Sequence, residues 1–98
     1  MYLKIHKTPG EENILAICDA ELMGKTLTSD FCNDIVIDSG FYGDETATEE
    51  EVIKALHQAT NANIIGKKVC KIAADEGLID LECCIMFGDI PHAQIYGV

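Results

Sequence analysis

The chain contains no arginine and no tryptophan, only two prolines, and lysine as its sole strong cation. Arginine supplies the planar fork that reads phosphate and guanine, and nucleic-acid affinity rests on cations that release counterions. Direct nucleic-acid binding is therefore not expected. Long apolar runs are also missing. Ile14 to Cys18 and Cys83 to Phe87 stop at about five residues, against the ~20 that a membrane-spanning helix needs. Met1 leads straight into strand-like sequence rather than into a charged leader and apolar core. No membrane association is expected, and a cytoplasmic location is. The five cysteines (Cys18, Cys32, Cys70, Cys83, Cys84) are odd in number and show no two-residue-gap pairing. That excludes a zinc ribbon and a disulfide framework and leaves thiols acting as small buried hydrophobes in a reducing compartment.

What remains is an ordinary globular composition, 48% apolar and 24% charged, over 98 residues. That length is one domain, spanning residues 1–98. Seventeen Asp and Glu against seven Lys leave a net charge of -10, which serves solubility and would draw a basic protein partner.

The alternation from Tyr2 to His6, a Pro9-Gly10 turn and the run Ile14 to Cys18 read as a β-hairpin, with the second strand covered on both faces. Asp19 to Met23 reads as one helical turn or a wide loop ending at Gly24. Ile35-Val36-Ile37 reads as a further buried strand. Thr48 and Glu51 form a capping box, and Glu49, Glu50 and Glu51 complement the helix dipole. That acidic run is helix chemistry rather than a metal site. Val52, Leu56 and Ala59 form the buried stripe of the first helix, and Asn61-Ala62-Asn63 interrupts it.

A second helical stripe follows in Ile65, Val69, Ile72 and Ala73, stopped by Gly77, with Lys67 and Lys71 facing water. Whether residues 48–76 form one kinked helix or two stays open. Ile64 falls on the lysine side of this helix, which marks it as a contact for a partner or a second copy. Gly66 inside a helix implies close packing. Cys83 to Phe87 reads as a strand buried on both faces, and Ala93 to Tyr96 as a last short strand. The expected fold is α+β: a mixed or mostly antiparallel sheet built from both chain ends, with two consecutive helices packed on one face.

No catalytic constellation stands out. No Ser lies in a glycine-framed elbow, no ligand spacing marks a metal site, and no Gly-rich loop leads into a helix with a lysine in place. No cofactor and no metal are expected. The candidate ligand or partner residues are Asn61, Asn63, Gly66, His92, Gln94 and Tyr42. His92 follows the rigid Pro91, and the Gln94 amide could join it in holding a ligand or an inserted loop, although an imidazole there could equally satisfy backbone groups. Of Asn61 and Asn63, capping of the second helix explains only one. Tyr42 stands beside Phe41 between two glycines, where aromatics either face a ligand or fold over a core edge.

The stretches Cys18-Asp19-Ala20-Glu21-Leu22-Met23-Gly24-Lys25, Phe41-Tyr42-Gly43, Ala59-Thr60-Asn61-Ala62-Asn63-Ile64-Ile65-Gly66 and Gly88-Asp89-Ile90-Pro91-His92-Ala93-Gln94 resemble the motifs of an archaeal family, domain of unknown function 424. The resemblance covers nearly the whole chain in motif order. It implies an archaeal cytoplasmic protein with an association to translation and RNA-handling genes, and brings no established activity or catalytic residue. The expected function is thus a non-enzymatic binding or adaptor module. The alternative is a small-molecule-binding protein or enzyme with a polar pocket around Asn61, Asn63, His92 and Gln94.

Overall fold

In the computed structural model, which describes residues 1–7, 13–29 and 34–96, the apolar run Ile14–Cys18 is strand β2. It pairs antiparallel with β1 (Tyr2–His6), as the alternation there predicts. The Pro9-Gly10 turn and Cys32 lie outside the described residues. On its other side β2 runs parallel to β5 (Asn61–Ile65), with Ile14 opposite Asn61 and Cys18 opposite Ile65. Strand β7 (Ile90–Tyr96) follows antiparallel to β5, and β6 (Ile85–Phe87) closes the sheet antiparallel to β7. The order is β1-β2-β5-β7-β6, a mixed sheet in an α+β domain. A separate two-stranded ribbon joins β3 (Thr26–Leu27) to β4 (Ile35–Val36).

Three helices complete the domain: α1 (Ser39–Tyr42), α2 (Glu49–Gln58) and α3 (Lys67–Asp75). Helix α2 starts at the expected capping box. The Glu51 amide donates to Thr48 Oγ1 at 3.2 Å, and the Thr48 amide donates to Glu51 Oε1 at 3.0 Å. Helices α2 and α3 pack on one face of the sheet, where Val52, Leu56, Val69 and Ile72 meet Leu15, Ile17, Ala62 and Ile64. Burying an aliphatic side chain contributes ~1.5–3 kcal/mol, so this layer is the main source of stability. On the opposite face Ala16, Cys18, Ile65 and Phe87 are covered by Leu22, Ile37 and Tyr42, which sit on short segments.

The structure corrects five details of the sequence reading. Asn61 to Ile65 is a central strand, so α2 and α3 are not consecutive. In Asn61-Ala62-Asn63-Ile64-Ile65 the asparagines and Ile65 share one face, while Ala62 and Ile64 share the other, a period of two read earlier as a break in a helix. Ile64 is consequently 0% exposed, and its apolar character serves the core rather than a second copy of the chain. Gly66 is the cap before α3, not a helix-interior residue, and takes φ 127°. Ile35 and Val36 belong to the outlying ribbon, with Val36 exposed and only Ile37 fully buried. Cys83 belongs to a 3-10 turn (Leu81–Cys83) and is exposed, and Ile85 and Met86 in β6 are exposed as well. A three-residue strand at the margin of a sheet has too little cover to bury both its faces.

Candidate functional site

Strands β5 and β7 place Asn63 opposite Gln94, Ile65 opposite His92 and Asn61 opposite Tyr96. Directly paired residues of adjacent strands point to the same face, so all six lie on the side away from α2 and α3. Asn63 is the hub. Its Oδ1 accepts the Tyr42 hydroxyl at 3.0 Å and His92 Nε2 at 3.1 Å. Because a carbonyl oxygen only accepts, His92 Nε2 carries a proton and Nδ1 is left as the acceptor. The Phe87 ring meets the His92 imidazole edge-on, with centroids 6.0 Å apart. Burial lowers the His92 pKa below the ordinary histidine value and keeps the ring neutral. Burial likewise pushes the Tyr42 phenol upward, with repulsion from Cys18 and Asp38 adding to it.

Tyr42 reaches Asn63 because α1 is fastened to β1. His6 Nε2 lies 2.7 Å from the Phe41 carbonyl, the His6 and Phe41 rings stack with centroids 5.0 Å apart, and Lys4 Nζ donates to the Gly40 carbonyl at 3.1 Å. Asp38 caps this short helix by accepting the Phe41 amide at 2.9 Å. Beside the hub lies a shallow cleft of about 410 Å³ lined by Ile14, Phe41, Asn61, Asn63, Gln94 and Tyr96. Gln94 Oε1 accepts the Tyr96 hydroxyl. Among the residues singled out from sequence, Tyr42, Asn61, Asn63, His92 and Gln94 therefore come together. Gly66 does not.

Gly66 instead lies against Asp19 at the start of α3. The buried Asp19 carboxylate accepts the Lys68 amide at 2.8 Å and the Val69 amide at 2.9 Å, and so caps the helix from the end of β2. A Cβ on Gly66 would stand 2.2 Å from Asp19 Cγ, which excludes every other residue there. Sequence reasoning missed the roles of Asp19 and His6, and named Phe41 only as the neighbour of Tyr42. The one available signal for Asp19 was a charged residue directly after a strand buried on both faces.

Three of the described thiols are held in their protonated form. Burial raises the Cys18 pKa to about 11 and the Cys70 pKa to about 12, and it raises that of Cys84 too. Cys70 Sγ donates to the Pro91 carbonyl at 3.5 Å, and Cys84 Sγ faces the Asp80 carbonyl at 3.8 Å. Among the described residues no group of three His, Cys, Asp or Glu side chains could hold a metal ion, and no helix is long and apolar enough to cross a membrane.

Fold and site together define an α+β domain with a mixed five-stranded sheet, sealed by helices on one face and bearing an amide-lined cleft on the other. The chain belongs to the DUF424 family, described as a protein of unknown function, whose model matches residues 6–98. It is similar to the crystal structure of an uncharacterized conserved protein from Methanopyrus kandleri, with a TM-score of 0.75 and 25% identity over 99% of this chain and 92% of that one. No curated protein matches.

Proposed function

We propose that this protein is a non-enzymatic binding or adaptor module of the cytoplasm, serving translation or RNA-handling machinery through a basic protein partner rather than by direct contact with nucleic acid. The observation that carries this reading is the state of the polar hub. One Asn63 oxygen takes both the Tyr42 hydroxyl, which holds α1 to the sheet, and His92 Nε2, so the phenol and one imidazole nitrogen are spent within the protein. A net charge of -10 without arginine supports a basic protein partner. Affinity capture from native lysate tests it. Ribosomal proteins or translation factors are recovered at low salt and lost as ionic strength rises. Recovery of no specific partner at any ionic strength refutes the proposal.

A second reading is favoured by the cleft itself, where the Asn63 and Gln94 amides stand beside the Phe41 and Tyr96 rings with no charged side chain in the lining. That chemistry suits a small neutral planar ligand. Nucleoside titrations that shift the Asn63 and Gln94 side-chain resonances, and fail to shift them in Phe41→Ala, support it. Unshifted resonances dismiss it.

A further inference from the structure

The two margins of the sheet are finished differently. Along β1 the outer side is occupied: Leu3 donates to the Glu45 carbonyl at 3.3 Å, Ala47 donates to the Met1 carbonyl at 2.8 Å, and Tyr2 bridges Thr46. At the other margin β6 is shorter than the strand it covers. Ile85 pairs with His92 and Phe87 with Ile90, and β7 then continues to Tyr96 with no strand on its outer side among the described residues. The direction of the exposed backbone groups follows from one bond. Gly66 donates to the Pro91 carbonyl at 2.9 Å, so residues 91, 93 and 95 address β5, whereas 92, 94 and 96 address the outer side. His92 spends its groups on β6. Among the described residues, the outward N–H and C=O of Gln94 and Tyr96 make no backbone hydrogen bond.

Nothing in this stretch guards it. Natural sheets blunt such margins with lysine, proline or a bulge, and Ala93-Gln94-Ile95-Tyr96 has none of these. Where β6 ends, a cleft of about 300 Å³ opens beside it, lined by the apolar Leu78, Ile79, Ile85 and Ala93 together with the polar Asp80 and His92. The charged residues within 78–85 and 93–96 are Asp80 and Glu82, both acidic and both exposed. We infer that the free margin of β7 at Gln94 and Tyr96 is a strand-addition site for an extended, lysine- or arginine-bearing segment of a partner protein. The segment continues the line of β6, pairs its backbone with Gln94 and Tyr96, and sets one apolar side chain in the cleft and a cation near Glu82. A second copy is the poorer occupant, since it would bring Asp80, Glu82 and a further charge of -10 against their equals. The inference rests on the adaptor reading and names how the partner is held.

The test uses the whole chain and two blocked heptapeptides of alternating sequence, one lysine with valine and the other glutamate with valine. The lysine peptide is expected to slow amide exchange at Gln94 and Tyr96 and to give cross-strand contacts to β7, and the glutamate peptide to do neither. Gln94→Pro removes an outward N–H that β5 does not use, so it keeps the thermal midpoint and weakens the lysine peptide by about tenfold or more. Glu82→Lys weakens the same peptide severalfold and admits the glutamate one, which keeps the test decisive if the proline variant fails to fold. The inference is overturned if exchange slows elsewhere and not at 94 and 96, if both variants bind like the wild type, or if Gln94 and Tyr96 become protected with protein concentration alone. Lysate capture separates the two readings. A Gln94→Pro chain that still recovers the wild-type partners removes the strand-addition site and leaves the adaptor, whereas a wild-type chain that recovers nothing removes the adaptor while the peptides still report on β7.

Discussion

The face of the sheet beneath α2 and α3 presents Leu15, Ile17, Ala62 and Ile64, whereas the same strands present Ala16, Cys18, Asn63 and Ile65 on the other side. The first face is closed by helices of ten and nine residues whose apolar stripes bury it, while polar side chains such as Asp19 fix only the helix ends. The second is closed by the four-residue α1, a 3-10 turn at Ala20–Leu22 and the two-stranded ribbon. Segments that short bury too little apolar surface to hold themselves down. Side-chain hydrogen bonds of His6, Lys4 and Asn63 fasten α1, and backbone bonds between Gly24, Lys25 and Ile37 fasten the segments beside the ribbon. The difference teaches where polar groups become necessary in a small domain: under cover too short to adhere by burial alone.

Breaking the helix-covered face should cost most. Ile64→Ala leaves a cavity beneath α3 and should lower unfolding stability by about 3–4 kcal/mol in urea denaturation, with an unchanged slope. Gly66→Ala forces a side chain into positive φ and onto the Asp19 carboxylate, at a cost of about 3 kcal/mol in the same assay. The double change with Asp19→Ala should cost less than the two single effects combined, because the clash is then gone. The other face should respond more gently. Asn63→Leu strands the Tyr42 hydroxyl and the His92 N–H in a half-buried site, and should cost about 1–2 kcal/mol.

The pH dependence sharpens the same contrast. His92 has a folded pKa below its unfolded value of about 6.5, so the unfolded chain binds the proton more readily. Its contribution to stability is whole above about pH 6.5 and is lost as pH falls through the lowered folded value. Urea midpoints between pH 7.5 and 5 should therefore fall further for the wild type than for His92→Gln. The smallest effect belongs to the outer surface. Breaking the exposed Lys71–Asp75 pair on α3 with Lys71→Ala should leave the thermal midpoint unmoved within error.

Elements whose signals are local could be read from the sequence. The alternation of β1, the doubly apolar β2, the Thr48–Glu51 box and the stop at Gly77 each depend on neighbours a few residues away. Strand β5 was harder to read, because the alternation in Asn61-Ala62-Asn63-Ile64 is short, rests on one alanine and two strand-averse asparagines, and is secured by the partners on either side. Ile64 on the supposed lysine side was the clue that the helical period was wrong. The cleft shows the same division. His92, Gln94 and Asn63 drew attention by type and position, but only the β5–β7 register makes them neighbours. His6 and Phe41 meet through a stacking that spans 35 residues of sequence, and no pattern in either segment announces it.

The Asp19 carboxylate has a consequence for how the chain comes to fold. It reaches across 50 residues of sequence to the Val69 amide, and the parallel pairing of β2 with β5 closes over nearly as long a span. Until residue 61 exists, β1 and β2 are a lone hairpin, which in water is marginal at best. Until residue 69 exists, Asp19 is a charge at a strand end with no helix to receive it. A chain growing from its N-terminus thus gains little from its first half, and the central pairing, the helix start and the covering of both faces arrive together after synthesis has passed α3.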